Sequence, residues 1–450
     1  MSNSDQLGTK PIGKLLRAQA IPASVGILIM SVYGIVDSIF VGRWVGTLGI
    51  GAITVVFPIS FLISSIGMSI GIGGASVISR SLGAGNRSHA LLTFGNQATL
   101  TLLLAVSMVL LGSFFQEEIL QLFGGRGEIL PYAKEYFRII LLGIPFLSWA
   151  MMTNNVIRSE GAARFAMMIM IVPAVVNIIL DPIFIAVFDM GIAGAAWATT
   201  ISYIASACFS LWYFTKGPSE LRLYVSNLWL RLSVVKEIFS IGVVTLARQG
   251  TISLLSIVLN NALFGYGGEI AVSVYGIINR VMMFANFPVL GVTQGFLPIA
   301  GYNYGAQKRD RVKELIFKAI VFGTGLALCI FIGIMFFAKD IVSLFTTDDQ
   351  LIALSTPAIM IAFLATPTLT IQLIGSAYFQ SIGKPVPALL LTMLKQGFFL
   401  IPLVLILPLF YDLNGVWYAF PIADILSASV NFLFIREAVK QLSRPLAVVA

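Results

Sequence analysis

The stretch LLRAQAIPASVGILIMSVYGIVDSIFVGRWV, Leu15 to Val45, decides what kind of protein this is. It is long enough to cross a bilayer as a helix, for which about 20 apolar residues suffice. Its single acid is Asp37, in Tyr33-Gly34-Ile35-Val36-Asp37-Ser38. A carboxylate inside hydrocarbon is costly, so by default it marks a functional site whose partner has to be found.

The rest of the chain has the same character. Of its 450 residues 58% are hydrophobic and only 11% charged, with a mean hydropathy of +0.94. Soluble domains carry about a quarter charged residues, so the chain is read as a polytopic membrane protein. Apolar runs between polar breaks place twelve helices, near 15–45, 52–80, 90–115, 130–156, 163–188, 192–215, 237–263, 270–300, 313–338, 350–380, 386–411 and 414–437. The polar start, Met1 to Gln19, leads into a span too long for a signal-peptide core, so the first helix is expected to stay in the mature protein.

The net charge of +8 is a matter of orientation and gives no reason to expect nucleic acid. Twenty Lys and Arg fall on the side that holds both termini, five on the other and three within spans (Arg248, Arg280, Lys395). The positive-inside rule then makes both termini cytoplasmic. Asp37, late in the first helix, lies toward its outer end. Cys208 and Cys329 sit in apolar spans with no CxxC and no neighbouring His, and are expected to be packed thiols. His89 falls in a basic loop and is read as incidental.

An internal repeat organises these helices. Leu82-Gly83-Ala84 and Tyr304-Gly305-Ala306, Leu122-Phe123 and Leu344-Phe345, Pro145 and Pro367, and Ser159-x-Gly161 and Ser381-x-Gly383 are each separated by 222 residues. The fold class is therefore an all-α membrane protein of two six-helix bundles, 1–215 and 237–450, joined by a cytoplasmic connector, 216–236. Six is even, so the halves share one orientation, related by a pseudo-two-fold axis along the membrane normal. Gly67-x-x-x-Gly71 and Gly191-x-x-Gly194-Ala195-Ala196 offer small faces for close helix packing.

Three acids lie deep within spans, more than six residues from either end: Asp37, Asp181 and Asp424. Asn177 and Asp181 are four apart and share a helix face. With Asp37 and the hydroxyl of Thr199 they supply oxygens for a hard cation such as Na⁺, or a carboxylate pair sharing a proton. No Lys or Arg in the first-half spans provides a counter-charge. The repeat positions of Asn177 and Asp181 are Phe399 and Leu403, so the acids belong to one half alone. The second half instead holds Arg248, Gln249, Arg280, Gln294, Lys395 and Asp424, candidates for a substrate cavity or gate, with Lys395 and Asp424 a possible ion pair. Methionine pairs such as Met151-Met152, Met167-Met168 and Met282-Met283 suit pliable packing or lipid-facing surfaces. Motifs for nucleotide binding, zinc hydrolysis or a serine nucleophile are lacking, so no enzyme is expected, and either an ion gradient supplies the driving force or the protein is a passive facilitator.

Leu82-Gly83-Ala84-Gly85-Asn86, its echo Tyr304-Gly305-Ala306-Gln307, Asn177-x-x-x-Asp181-Pro182 and Gly194-Ala195-Ala196-x-Ala198-Thr199 together resemble the multidrug and toxic compound extrusion (MATE) family across nearly the whole chain. The resemblance implies a V-shaped pair of bundles and export of organic cations or amphipathic compounds in exchange for Na⁺ or H⁺. It also implies a first-half cation site, whose family positions match Asp37, Asn177, Asp181 and Thr199. The NorM branch adds acids in helices seven and ten. Here no acid lies between Glu237 and Glu269 or between Asp349 and Asp412, so the likeness is to the DinF/MepA-like branch. The expected partners are a small organic substrate, the coupling cation and the bilayer of the plasma membrane. No other cofactor is expected, and the chain is expected to act as a monomer. The runner-up function is a lipid-linked oligosaccharide flippase of related architecture, in which the second-half cations would meet a pyrophosphate.

Overall fold

The computed structural model describes residues 3–444, and in it every apolar stretch is helical, with no strand among the described residues. A short helix α1 (Asn3–Thr9) precedes the spanning helices α2 (Ile12–Trp44), α3 (Thr47–Gly83) and α4 (Arg87–Phe114). The seven-residue α5 (Gln116–Leu122) leads to α6 (Ile129–Ser159), and α7 (Ala163–Pro182) runs on as a π-helical turn over Ile183–Val187 before α8 (Gly191–Thr215). Beyond the connector come α9 (Leu232–Gly305), α10 (Arg309–Ser343), α11 (Asp349–Ala362), α12 (Leu369–Ser381), α13 (Pro385–Met393), α14 (Ile401–Ile406) and α15 (Pro408–Ser443).

Length and apolarity single out eleven spanning helices rather than twelve. The difference is α9. Its 74 residues would reach roughly 110 Å if straight, at 1.5 Å per residue, several times a bilayer core of about 30 Å. The chain breaks at Gly268 (φ 64°, ψ −159°), and Leu255, Leu259 and Leu263 before the break share one apolar core with Val274, Ile278 and Val281 after it. The helix is thus two crossings, and the count of twelve stands.

The repeat reappears in the backbone. Gly46 (φ 88°) and Gly268 (φ 64°), Gly85 (φ 74°) and Gln307 (φ 59°), and Gly161 (φ 81°) and Gly383 (φ 77°) all occupy the left-handed region and all obey the 222-residue offset. Turns that end corresponding helices are therefore built alike, although one of the six positions holds a glutamine.

Packing does not follow chain order as the sequence bounds 1–215, 216–236 and 237–450 do. One compact unit contains Val25–Thr245 together with the first residues through Leu7; the other contains Gly8–Ser24 and the chain from Leu246 onward. The three division points fall inside helices α1, α2 and α9, and for α2 and α9 small residues are the reason. A Cβ on Gly291 would stand 1.9 Å from Ser24 Oγ, and one on Gly295 would stand 2.8 Å from Ala20 N, so the start of α2 packs directly onto α9. In the first unit Gly67 and Gly71 likewise admit the backbone of Ser148 and Met152, which makes the small-residue face of α3 a packing face against α6.

The connector is tied to the first unit by hydrogen bonds. Glu160, in the turn after α6, is 1% exposed. It accepts from Tyr213 OH (3.0 Å), Ser219 Oγ (2.9 Å) and the backbone N–H groups of Glu220 (2.8 Å) and Leu221 (2.9 Å). Burial pushes its carboxyl up to about 7, against the pull of those donors, Ser219 first among them. Asn96 accepts from Arg231 N and donates to the carbonyls of Asn227 and Trp229. His89 faces Glu237 at 3.2 Å. Cys208 and Cys329 are free and exposed, not packed; on an apolar helix the outward face is the one lipid covers, so burial inside protein is not required there. Of the methionines, Met152 is fully buried, whereas Met168 and Met283 face outward.

Candidate cation site

Asp37, Asn177, Asp181 and Thr199 come together inside the first unit. Asn177 and Asp181 follow one another by one turn on α7, and Asn177 Nδ2 donates to Asp181 Oδ1 at 3.2 Å and to Thr199 Oγ1, on α8, at 3.2 Å. The carboxyl of Asp37, on α2, lies within hydrogen-bonding reach of Asp181. Exposure is 8% for Asp37, 0% for Asn177 and Asp181 and 3% for Thr199.

The oxygens are not all used. Asp37 Oδ1, Asn177 Oδ1 and Asp181 Oδ2 are buried without a hydrogen-bond partner among the described residues. Leaving buried polar atoms unpaired is costly, and a cluster of three of them on neighbouring side chains is what a cation or a shared proton would satisfy. A carboxylate pair with an amide oxygen and a hydroxyl suits a hard monovalent ion, and no group of three His, Cys, Asp or Glu side chains among the described residues forms a further metal cluster. The residues therefore fit Na⁺ or H⁺.

The local chain explains the placement. Pro182 has no N–H to give the helix, and immediately after it α7 widens into the π-helical turn Ile183–Val187. Such widened turns recur at functional sites because they re-aim side chains. On α2, Ser38 Oγ donates back to Gly34 O at 2.8 Å and Ser31 Oγ to Ile27 O at 3.0 Å, bonds that compete with the helix ladder around Asp37.

Three tyrosines also border the carboxylates. Tyr136 lies beside the Thr199 hydroxyl, Tyr203 lies beside Tyr33, and all three are close enough to Asp37 to feel its charge. The sequence held a signal for two: Tyr33 stands four residues before Asp37 and Tyr203 four after Thr199, each on the same helix face. Tyr136 had none, since it arrives from a helix remote in sequence.

The absence of basic residues from first-half spans does not hold. Arg17 and Arg43 on α2, Arg80 on α3, Lys134 and Arg138 on α6 and Arg164 on α7 already fall within the spans read as 15–45, 52–80, 130–156 and 163–188, and because α6 runs on to Ser159 its last turn also holds Arg158, buried and donating to Asn154 Oδ1 at 3.0 Å. Even so, no ion pair among the described residues reaches Asp37 or Asp181.

In the second unit Lys395 Nζ and Asp424 Oδ1 form an ion pair at 2.6 Å. Gln372, not singled out from sequence, donates to both Asp424 Oδ1 (3.0 Å) and Asp424 O (3.1 Å). Lys395 sits in a second π-helical segment, Leu394–Leu400, between α13 and α14. The remaining second-half candidates are not gathered with this pair: no hydrogen bond or ion pair among the described residues holds the side chains of Arg248, Arg280 or Gln294, and Arg280 is exposed. The backbone carbonyl of Gln249 accepts from Ser253 Oγ at 3.1 Å.

Twelve apolar crossings in a duplicated chain, with a buried carboxylate site in one repeat only, define a multi-pass membrane transporter. The chain belongs to the MatE family: the family model matches twice, over residues 22–183 and again over 246–406. It is 29% identical over 428 residues to the multidrug export protein MepA of Staphylococcus aureus (strain MSSA476), covering 94% of each chain. Its fold superposes with a TM-score of 0.93 on a crystal structure of MATE in complex with MaL6, at 25% identity over 99% of this chain and 100% of that one. With an outward-facing multidrug resistance MATE family transporter of the MOP superfamily the TM-score is 0.91, at 25% identity and 98% coverage of both chains.

Proposed function

We propose that this chain exports organic cations and other amphipathic drugs across the plasma membrane by exchange for Na⁺ or H⁺, as a monomer with both termini in the cytoplasm. The observation that carries the reading is the set of three buried, unpartnered oxygens on Asp37, Asn177 and Asp181. Two carboxylates in contact in a low-dielectric interior cannot both remain charged without a counter-charge, and no protein cation supplies it here.

In this account Asp37 and Asp181 take up the cation or proton, Asn177 contributes its carbonyl oxygen and Thr199 its hydroxyl. Asn177 also fixes the spacing of α7 and α8 by donating to both neighbours. Binding relieves the repulsion between the two carboxylates and favours a different shape of α2, whose ladder is already weakened around Ser31 and Ser38. A ligand shifts such an equilibrium only by its differential affinity for the two shapes, so substrate and cation drive one another in opposite directions across the membrane. Arg248, Gln249, Arg280, Gln294, Lys395 and Asp424 belong to substrate passage or gating in the other unit. The multidrug export named for the Staphylococcus aureus relative supports the substrate class.

The test is efflux of a fluorescent organic cation from proteoliposomes, with Na⁺ and proton gradients imposed separately. Export driven by one gradient supports the reading and names the ion. Folded protein that exports under neither gradient contradicts it and redirects attention to lipid-linked oligosaccharides.

A further inference from the structure

Basic side chains distant in sequence converge at one end of the second unit. Lys308 Nζ donates to Gly8 O (2.8 Å), Arg311 to Asn303 Oδ1 (2.8 Å) and to Lys10 O (2.7 Å), and Arg309 to Arg444 O (2.9 Å). The end of α1 and its link to α2, the turn between α9 and α10 and the end of α15 are thereby drawn into one cradle. It borders an open cleft of about 480 Å³ lined by five basic residues, Lys308, Arg309, Arg311, Lys313 and Arg444, and one acid, Asp310.

That acid is committed to Lys313, at 2.7 Å, and is itself 94% exposed. Lys308 and Arg309 are held by carbonyl groups, which position a cation without neutralising it. The cleft therefore carries a net positive charge, and it lies where the apolar helices α9, α10 and α15 reach their polar ends. Clusters of four to eight basic residues beside a spanning helix attract anionic lipid, and each side chain adds to the binding. An arginine can moreover offer phosphate oxygens two parallel donors, although Arg311 already gives Nε to Asn303 and Nη2 to Lys10.

We propose that this cradle is a binding site for the phosphate headgroup of an anionic membrane lipid. Sequence order alone conceals it, because Gly8, Lys308 and Arg444 are brought together only by the fold. The proposal is independent of the transport reading, since its readout is bound lipid and not export.

The experiment is native mass spectrometry of the full chain equilibrated in detergent with phosphatidylglycerol and phosphatidylcholine, beside the triple variant Arg309→Gln, Lys313→Gln, Arg444→Gln. Lys308 and Arg311 are kept because they fasten the end of α1 and its link to α2. The wild type retains phosphatidylglycerol in preference to phosphatidylcholine, and each basic side chain removed weakens retention about fivefold. Lys313→Gln alone, whose other contacts are only Asp310 and a 3.5 Å approach to Ser443 Oγ, gives the single-step loss if the triple variant fails to fold. Equal retention of the two lipids by the wild type, or undiminished phosphatidylglycerol on the variants, overturns the site. Complete displacement by millimolar inorganic phosphate overturns the lipid assignment and leaves a small-anion site.

Discussion

Asn177 donates its amide to Asp181 Oδ1 across one helical turn at 3.2 Å, and the pair still keeps two buried oxygens, Asn177 Oδ1 and Asp181 Oδ2, without a partner. An amide that spends both its hydrogens on neighbours while its carbonyl waits is arranged to complete a ligand set. Asn177→Leu removes that oxygen and the donor shared by Asp181 and Thr199. The loss of a buried donor costs about 1–3 kcal/mol, so the variant is expected to need roughly tenfold or more higher cation concentration for half-maximal export. Export with unchanged cation dependence would refute this role.

Lys395 and Asp424 are a different case, since each already has its counter-charge. With side-chain exposures of 27% and 7% the pair is mostly buried. Breaking such a pair leaves one uncompensated charge and is strongly destabilising, whereas replacing both members is often near neutral. Lys395→Met is expected to lower stability by about 2–4 kcal/mol, and Lys395→Met with Asp424→Leu to recover most of it. Thermal unfolding in detergent measures both, and a double variant as unstable as the single one would contradict the ion-pair account.

Glu160 gives a pH dependence whose sign can be worked out. Its folded carboxyl titrates at about 7, above an unfolded value of about 4.3, so between those values the folded chain binds the extra proton. The contribution is fully present below the unfolded pKa and is lost as pH rises through about 7. Glu160→Gln removes the titration. Unfolding midpoints scanned across this window should fall for the wild type relative to the variant; parallel curves would show that Glu160 does not titrate there.

Gln307 stands where its repeat partner is Gly85, and both are left-handed. A left-handed residue with a Cβ costs about 1–2 kcal/mol, and glycine returns about 0.5–1 kcal/mol of that as chain entropy. Gln307→Gly is therefore expected to be stabilising by up to about 1 kcal/mol, read as a higher unfolding midpoint. A lower midpoint would mean that the side chain of Gln307 supports the basic cradle more than its backbone strains it.

The helices were legible in the sequence because hydrocarbon admits only long apolar stretches with their backbone bonds closed. The cation site was nearly so: Asn177 and Asp181 share a face by spacing alone, and the missing acids at Phe399 and Leu403 set one half apart from the other. Tyr136 and Gln372 could not be read, because each meets its carboxylate from a helix that only tertiary packing brings near. Hydropathy could not draw the unit boundaries at Ser24 and Thr245 either. They depend on where glycines let one backbone approach another, and a helix passing from one unit to the other looks continuous in sequence.

The central claim is that the coupling cation resides on Asp37 and Asp181. Its most direct test is the stoichiometry of cation uptake by the purified chain, by labelled Na⁺ binding and by proton release on adding substrate, for wild type, Asp37→Asn and Asp424→Asn. The account predicts one cation per chain in the wild type and in Asp424→Asn, and none in Asp37→Asn. A full cation equivalent retained by folded Asp37→Asn would contradict it.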